Sequence, residues 1–268
     1  MAVALRGTAR RPASAGRVTQ TKGDQARPAP VALVTGGGRK LGAAICRRLA
    51  GLGYRVVINY RSSGPQAESL LRTIRAGGGS GTTVRADVTR PADVLRMLDR
   101  VRGEFGRLDV LVNNVGDYLE KPLHRCSHGE FERILKSNLH SVFLCTQAAL
   151  PMLRQAGAGR IIVIGFAPAG KISAFPHRAV YHLAKTGALL LTKAIAVEEA
   201  RYGVTANMIS PGTLFNSVKK PSKNPADYIP AGRFCRFEDI LGTLEYLLGE
   251  RASYVTGGHF IVSGGYAV

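Results

Sequence analysis

"VALVTGGGRKLGAAICRRLAGLGY", residues 31–54, decides the fold. Val31–Val34 is an unbroken apolar run that stops at Thr35 and three successive glycines, and an apolar pattern at helical spacing then begins at Leu41. Such a run bounded by glycines reads as a strand buried on both faces, followed by a turn and a helix. Glycines at a strand-to-helix turn let backbone amides approach an anion closely, and the helix N-terminus adds a positive dipole. The turn is therefore a candidate phosphate cradle.

The same alternation continues outward. Strands are expected at "RVVINY" (55–60), "GTTVRADV" (81–88), "LDVLVNN" (108–114), "RIIVIG" (160–165), "GVTANMISPG" (203–212) and "GHFIVSGG" (258–265). Helices are expected over 64–78, 91–106, one long stretch 128–155, about Pro176 to Arg201, and 237–250. Apolar strands alternating with helices predict an α/β fold, a parallel sheet of about seven strands covered on both faces. Residues 30–268 read as one doubly wound domain without repeat or linker.

Residues 1–29 differ. They are rich in Ala, Arg, Pro, Gly and Ser and carry six basic residues against Asp24 alone, a net +5. A disordered basic tail is expected, with an organelle transit peptide as the alternative. The whole chain of 268 residues carries +19, which leaves +14 on the domain, spread without a Lys/Arg block or a nucleic-acid module. Such a field suits anionic ligands rather than nucleic acid. No apolar run approaches the ~20 residues of a membrane span. Four scattered cysteines without a C-x-x-C pair read as reduced thiols, hence a cytoplasmic protein, and the six histidines lack metal-ligand spacing.

Seven short motifs in order give the chain a specific resemblance: "TGGGRKLG" (35–42), "ADV" (86–88), "NNVG" (113–116), "SNL" (137–139), "YHLAK" (181–185), "SPGT" (210–213) and "SYVTGG" (253–258). Together they resemble the short-chain dehydrogenase/reductase family over residues 31–268. The resemblance implies a single Rossmann domain that binds a nicotinamide dinucleotide. It places Gly36, Gly38, Arg39, Lys40, Leu41 and Gly42 at the pyrophosphate, and Asp87 and Val88 at the adenine. Asn114 and Gly116 fall beside the ribose, and Pro211, Gly212 and Thr213 at the nicotinamide. Lys40 stands where the family has a glycine, a slot that is basic in pteridine reductases. The resemblance also implies a homodimer or homotetramer built on the helices near 128–155 and 176–201.

The second strand ends "NYRSS" (59–63), so Tyr60 is followed by Arg61, Ser62 and Ser63 where an NAD enzyme would present a carboxylate to the ribose 2′-hydroxyl. Arg61 and Arg39 form a candidate 2′-phosphate site, because guanidinium donates in a fork and is always charged. NADPH is the expected cofactor, and reduction the expected direction.

Tyr181 and Lys185, at i and i+4, share one helix face. A phenol needs a neighbouring cation to serve as an acid–base group near neutral pH. In the family this pair is catalytic, with an asparagine, here Asn138, supporting a water relay behind the lysine. The family's serine is missing: counting back thirteen residues from Tyr181 gives Pro168, and counting from the strand end gives Phe166. Ser173 and His177 are the nearby polar candidates to replace it. Losing one oxyanion donor typically costs ~10²–10³-fold.

The lid region 214–233 carries Lys219, Lys220 and Lys223, suited to an anionic acyl thioester on a carrier protein. Three readings stay open: a carbonyl reductase similar to 3-oxoacyl-carrier-protein reductases, a pteridine-type reductase supported by Lys40, "YRSS" and Tyr118 but lacking that subgroup's aspartate (Asp117 being the nearest carboxylate), and a dinucleotide-binding sensor with little catalysis.

Overall fold

The computed structural model describes residues 28–217 and 220–267. The expected tail lies almost entirely outside the described residues. Seven strands form: β1 (Val31–Val34), β2 (Arg55–Tyr60), β3 (Ser80–Arg85), β4 (Val110–Asn113), β5 (Arg160–Ile164), β6 (Thr205–Pro211) and β7 (His259–Val262). They make one sheet in the order β3-β2-β1-β4-β5-β6-β7, with every neighbouring pair parallel.

Every residue of β1, β4 and β5 is buried, as a sheet covered on both sides requires. One covering layer holds α3 (Pro91–Phe105), α5 (Ser141–Gln155) and α6 (Ala179–Glu199), which pack around Leu33, Leu111, Ile161 and Met208. The other holds α1 (Lys40–Gly51), α2 (Gly64–Ala76) and α7 (Phe237–Leu248), around Val34, Ile58, Val112 and Ile209. Helical spacing produces these faces. In α3, Val94, Met97, Leu98 and Val101 are buried while the arginines between them point outward.

The chain runs outward from β1 to β3 and then returns to β4 on the other side of β1. In a doubly wound sheet, that reversal opens a crevice at the carboxyl ends of the strands. The Gly-rich turn lies at this point, as its place after the first strand leads one to expect.

Two expected helices differ from the sequence reading. The stretch 128–155 is divided into α4 (His128–Leu135), a π-helical turn at Lys136–His140, and α5. Side chains cause the break: Asn138 Nδ2 donates to the Ile134 carbonyl (3.1 Å), and Ser141 Oγ to that of Ser137 (2.7 Å). The second helix begins at Ala179 rather than Pro176. His177 adopts a left-handed φ of 65°, and residues 171–178 form an irregular, mostly exposed loop.

Candidate active site

The turn after β1 is fixed by a residue that the motifs do not single out. Asn59, in β2, is 1% exposed; its Oδ1 accepts from the Gly36 amide (3.1 Å) and its Nδ2 donates to the Ala86 carbonyl (3.1 Å). The Gly37 amide donates to the Asn59 carbonyl at 2.8 Å. A polar residue inside the apolar run "RVVINY" was the available signal. A Cβ at Gly42 would overlap the Gly36 carbonyl oxygen and lie 2.9 Å from Asn114 Nδ2, so only glycine lets helix α1 start this close to the turn. Lys40 begins that helix with φ at 50°, a left-handed conformation that glycine would adopt freely.

From this turn a cleft of about 410 Å³ runs across the ends of β1, β2, β4, β5 and β6. Gly36, Arg39, Lys40, Leu41 and Gly42 line its end beside this turn. Tyr60, Arg61, Ser62, Asp87 and Val88 line the flank beside β2 and β3. Asn114, Gly116, Tyr181, Lys185 and Pro211 line the far end. Residues from six of the seven motifs are thus gathered into one continuous surface, and 253–258 lies outside it. Asn59, Ser63, Thr89, Ile164, Gly165 and Asn216 line it as well.

Three of the expected cofactor-binding residues, Gly38, Gly212 and Thr213, do not line the cleft. Gly38 packs against α2, where a Cβ would lie 2.9 Å from Ser63 Oγ. Gly212 is packed against β7, its amide donating to the Val262 carbonyl at 2.9 Å. The Thr213 carbonyl accepts from the Cys235 amide at 2.9 Å, tying the lid's two ends together.

At the β2 flank, the Arg61 guanidinium lies 3.7 Å from the Asp87 carboxylate and is largely exposed. Desolvation raises the Asp87 pKa, but hydrogen bonds from Thr89 and the charges of Arg61 and Arg90 outweigh it and hold the carboxyl below its usual range. The pair is too open to be worth much by itself.

At the far end, Lys185 is buried and its Nζ donates to the Ile164 carbonyl at 2.7 Å. Desolvation brings its pKa down to about 8. Tyr181, one helical turn earlier, has Lys185 Nζ 5.9 Å from its ring centroid. Its phenol is held above the ordinary tyrosine value, first by desolvation and then by Tyr118. Asn138 does not line the cleft but stands directly behind it. A Cβ on Gly116 would overlap Asn138 Oδ1 and lie 3.2 Å from Lys185 Nζ, so both groups converge on the same point. That buried Oδ1 has no hydrogen-bond partner among the described residues, which leaves an acceptor free toward the lysine.

Where a serine would complete such a site, the chain presents a ring. Phe166 stands edge-on to Tyr181 at a centroid distance of 5.1 Å, and Tyr118 does the same at 5.0 Å. Pro168 is buried in a short turn, and its carbonyl is bound by His182 Nε2 at 3.1 Å. Phe166 is therefore the residue that faces Tyr181. Ser173 and His177 are both exposed and neither lines the cleft. On the lid, Lys220 is turned back on its own loop, donating to the Phe215 carbonyl at 2.7 Å, with Phe234 beneath it. Lys223 is exposed on the lid, and Lys219 lies outside the described residues.

Among the described residues, no helix is long and apolar enough to cross a membrane, and no group of three or more His, Cys, Asp or Glu could hold a metal ion.

Comparisons with known proteins agree with this layout. A family model described as enoyl-(acyl carrier protein) reductase matches residues 37–267. A 3-oxoacyl-[acyl-carrier-protein] reductase of Synechocystis is 35% identical over 88% of this chain and 96% of its own length. One from Staphylococcus aureus is 34% identical over 87% and 96%. Among solved structures, a variant of a Serratia marcescens short-chain dehydrogenase/reductase superposes with a TM-score of 0.83 at 32% identity, covering 89% of this chain and 98% of that one. The acetoin dehydrogenase YohF of Salmonella typhimurium gives 0.81 at 26% identity, covering 89% and 96%.

Proposed function

The chain belongs to the short-chain dehydrogenase/reductase family, and from that premise we propose an NADPH-dependent reductase that transfers hydride to the carbonyl of a small molecule or acyl thioester. The observation that carries the reading is one cleft holding the Gly-rich turn, an arginine at the end of β2 and the Tyr181–Lys185 pair.

The residues present fit the dinucleotide. Without side chains at Gly36 and Gly42, the backbone is open to a pyrophosphate, and Arg39 and Lys40 add charge at the same end. Arg61 and Ser62 supply guanidinium and hydroxyl donors for a 2′-phosphate. When bound, NADPH supplies the hydride. Tyr181 then gives its proton to the substrate oxygen, and its raised pKa keeps that proton in place until the oxygen becomes basic. The Lys185 ammonium, aimed between Ile164 and the Asn138 acceptor, favours the phenolate left behind and leads toward proton return from water.

The 3-oxoacyl-carrier-protein reductases among the relatives support an acyl-thioester substrate. The pteridine-type alternative draws support from Tyr118 and Phe166 beside Tyr181, but no carboxylate takes the serine's place. Assembly into a homodimer or homotetramer is part of the same reading. Phe143 on α5 and Leu190 and Val197 on α6 are 46%, 63% and 81% exposed, apolar surface suited to a subunit contact.

The test is NADPH oxidation by the purified protein with acetoacetyl thioester, diketones and a dihydropterin. Turnover with a carbonyl substrate supports the reading. Tight NADPH binding without turnover of any of them would put the sensor reading in its place.

A further inference from the structure

We propose that Phe166 is a specificity-determining residue: it selects carbonyls conjugated to a second carbonyl, vicinal diketones and quinones, over isolated ketones. The proposal rests on the reductase reading and deepens it by naming the substrate class.

The argument begins with which groups near Tyr181 are free to donate. Phe166 leaves β5 in extended backbone, φ −140° and ψ 129°, and sends its ring against Tyr181. Ala167, Pro168 and Ala169, which follow it, are buried and bring no hydroxyl. The ring is backed by Phe175 at 6.4 Å and His182 at 6.3 Å, and His182 in turn holds the Pro168 carbonyl. A change of rotamer therefore brings no donor in. The Tyr118 hydroxyl is spent on the Glu120 carboxylate (2.8 Å), and the Lys185 ammonium is held by the Ile164 carbonyl (2.7 Å) with its Nζ 5.9 Å from the Tyr181 ring centroid. Of the three contacting rings Tyr118, Phe166 and Tyr181, Tyr181 is thus the one whose hydroxyl is left to donate.

One donor suits some electrophiles better than others. As the carbonyl carbon gains a hydride from the reduced cofactor, its C=O π pair moves to oxygen, which takes the Tyr181 proton; the products are the alcohol and NADP⁺. In an isolated ketone the negative charge gathers on that one oxygen, the situation in which a second donor contributes ~10²–10³-fold. In a vicinal diketone or quinone the neighbouring carbonyl withdraws electrons from the reacting carbon, which makes that carbon more electrophilic and the forming alkoxide less basic, so the missing donor costs less. Such substrates are also flat, and the rings packed edge-on against Tyr181 are those of Phe166 and Tyr118.

The experiment compares kcat/KM for 1-phenyl-1,2-propanedione, phenanthrenequinone and cyclohexanone in the wild type, Phe166→Ser and Phe166→Ala. The wild type is expected to favour both dicarbonyls over cyclohexanone by ~10³-fold or more. Phe166→Ser is expected to raise cyclohexanone turnover by ~10–100-fold, the effect of one restored donor. Phe166→Ala opens the same space without a hydroxyl and is expected to leave the preference in place. The proposal is overturned if Ser and Ala act alike, or if the wild type reduces cyclohexanone within tenfold of the dicarbonyls. It is equally overturned if a dihydropterin outruns every carbonyl. Should Phe166→Ser fail to give a cooperative thermal melt, the wild-type ratio decides by itself. Failure of the underlying reading looks different: no carbonyl is reduced at all, or turnover is indifferent to Tyr181→Phe.

Discussion

The two ends of the cleft are built on different principles. The end at the Gly-rich turn, the proposed phosphate end, is made of backbone: Gly36 and Gly37 amides tied to Asn59, and a helix that starts where Gly42 permits it. The far end is backed by rings: Tyr118 and Phe166 against Tyr181, with Phe175 and His182 behind Phe166. Backbone geometry tolerates few residue types, so the first end keeps a recognisable sequence signature. Ring packing tolerates many, so the second end is where this chain departs from its family. The lesson is that cofactor and substrate chemistry are separable here, and each can be broken without the other.

The largest expected effect breaks the phosphate end. Gly42→Ala places a Cβ on the Gly36 carbonyl, so the turn must move; NADPH affinity is expected to fall by ~100-fold or more, read by fluorescence titration. Next comes Arg61→Ala. One charge-assisted contact is worth about 1.5–3 kcal/mol, so NADPH affinity should fall ~10–100-fold while NADH affinity changes little. Equal losses for both cofactors would remove Arg61 from the 2′-phosphate site.

The far end is probed by pH. Lys185 has its pKa brought down to about 8 by burial, so its ammonium is present below that pH and lost above it. The reduction rate is expected to be level to about pH 8 and then to fall toward tenfold per pH unit. The stability sign follows from the same shift. The folded pKa lies below the unfolded value, so the unfolded chain binds more protons between about 8 and 10.5, and stability rises across that window. Lys185→Met should remove this rise, abolish turnover, and stabilise the fold by about 1–3 kcal/mol, seen as a higher Tm.

The smallest effect joins both ideas. Lys40→Gly relieves a left-handed φ and is expected to stabilise the fold by ~1 kcal/mol, while NADPH binding weakens only a few-fold for loss of one exposed charge.

The sheet was legible because its strands are apolar and its helices periodic, and the order of motifs named the family before any coordinates. What sequence periodicity missed is physical too. The π turn at 136–140 arises from Asn138 and Ser141 bonding back to the chain, which hydrophobic spacing does not record. Asn59 escaped notice because a strand pattern counts it as one polar exception. Whether Phe166 or Pro168 faces Tyr181 depended on an irregular loop between β5 and α6, and counting residues across a loop does not fix geometry. Gly38 and Gly212 match the motifs, yet their missing side chains serve packing against α2 and β7 rather than the cleft.

The most direct measurement of the central claim is single-turnover NADPH oxidation with the best dicarbonyl substrate, wild type against Tyr181→Phe. The expected result is a drop of ~10³-fold in the hydride-transfer step with NADPH affinity unchanged, since only the proton donor is removed. Equal rates in the two proteins would contradict the account, because the ring cluster would then surround a tyrosine that does no chemistry.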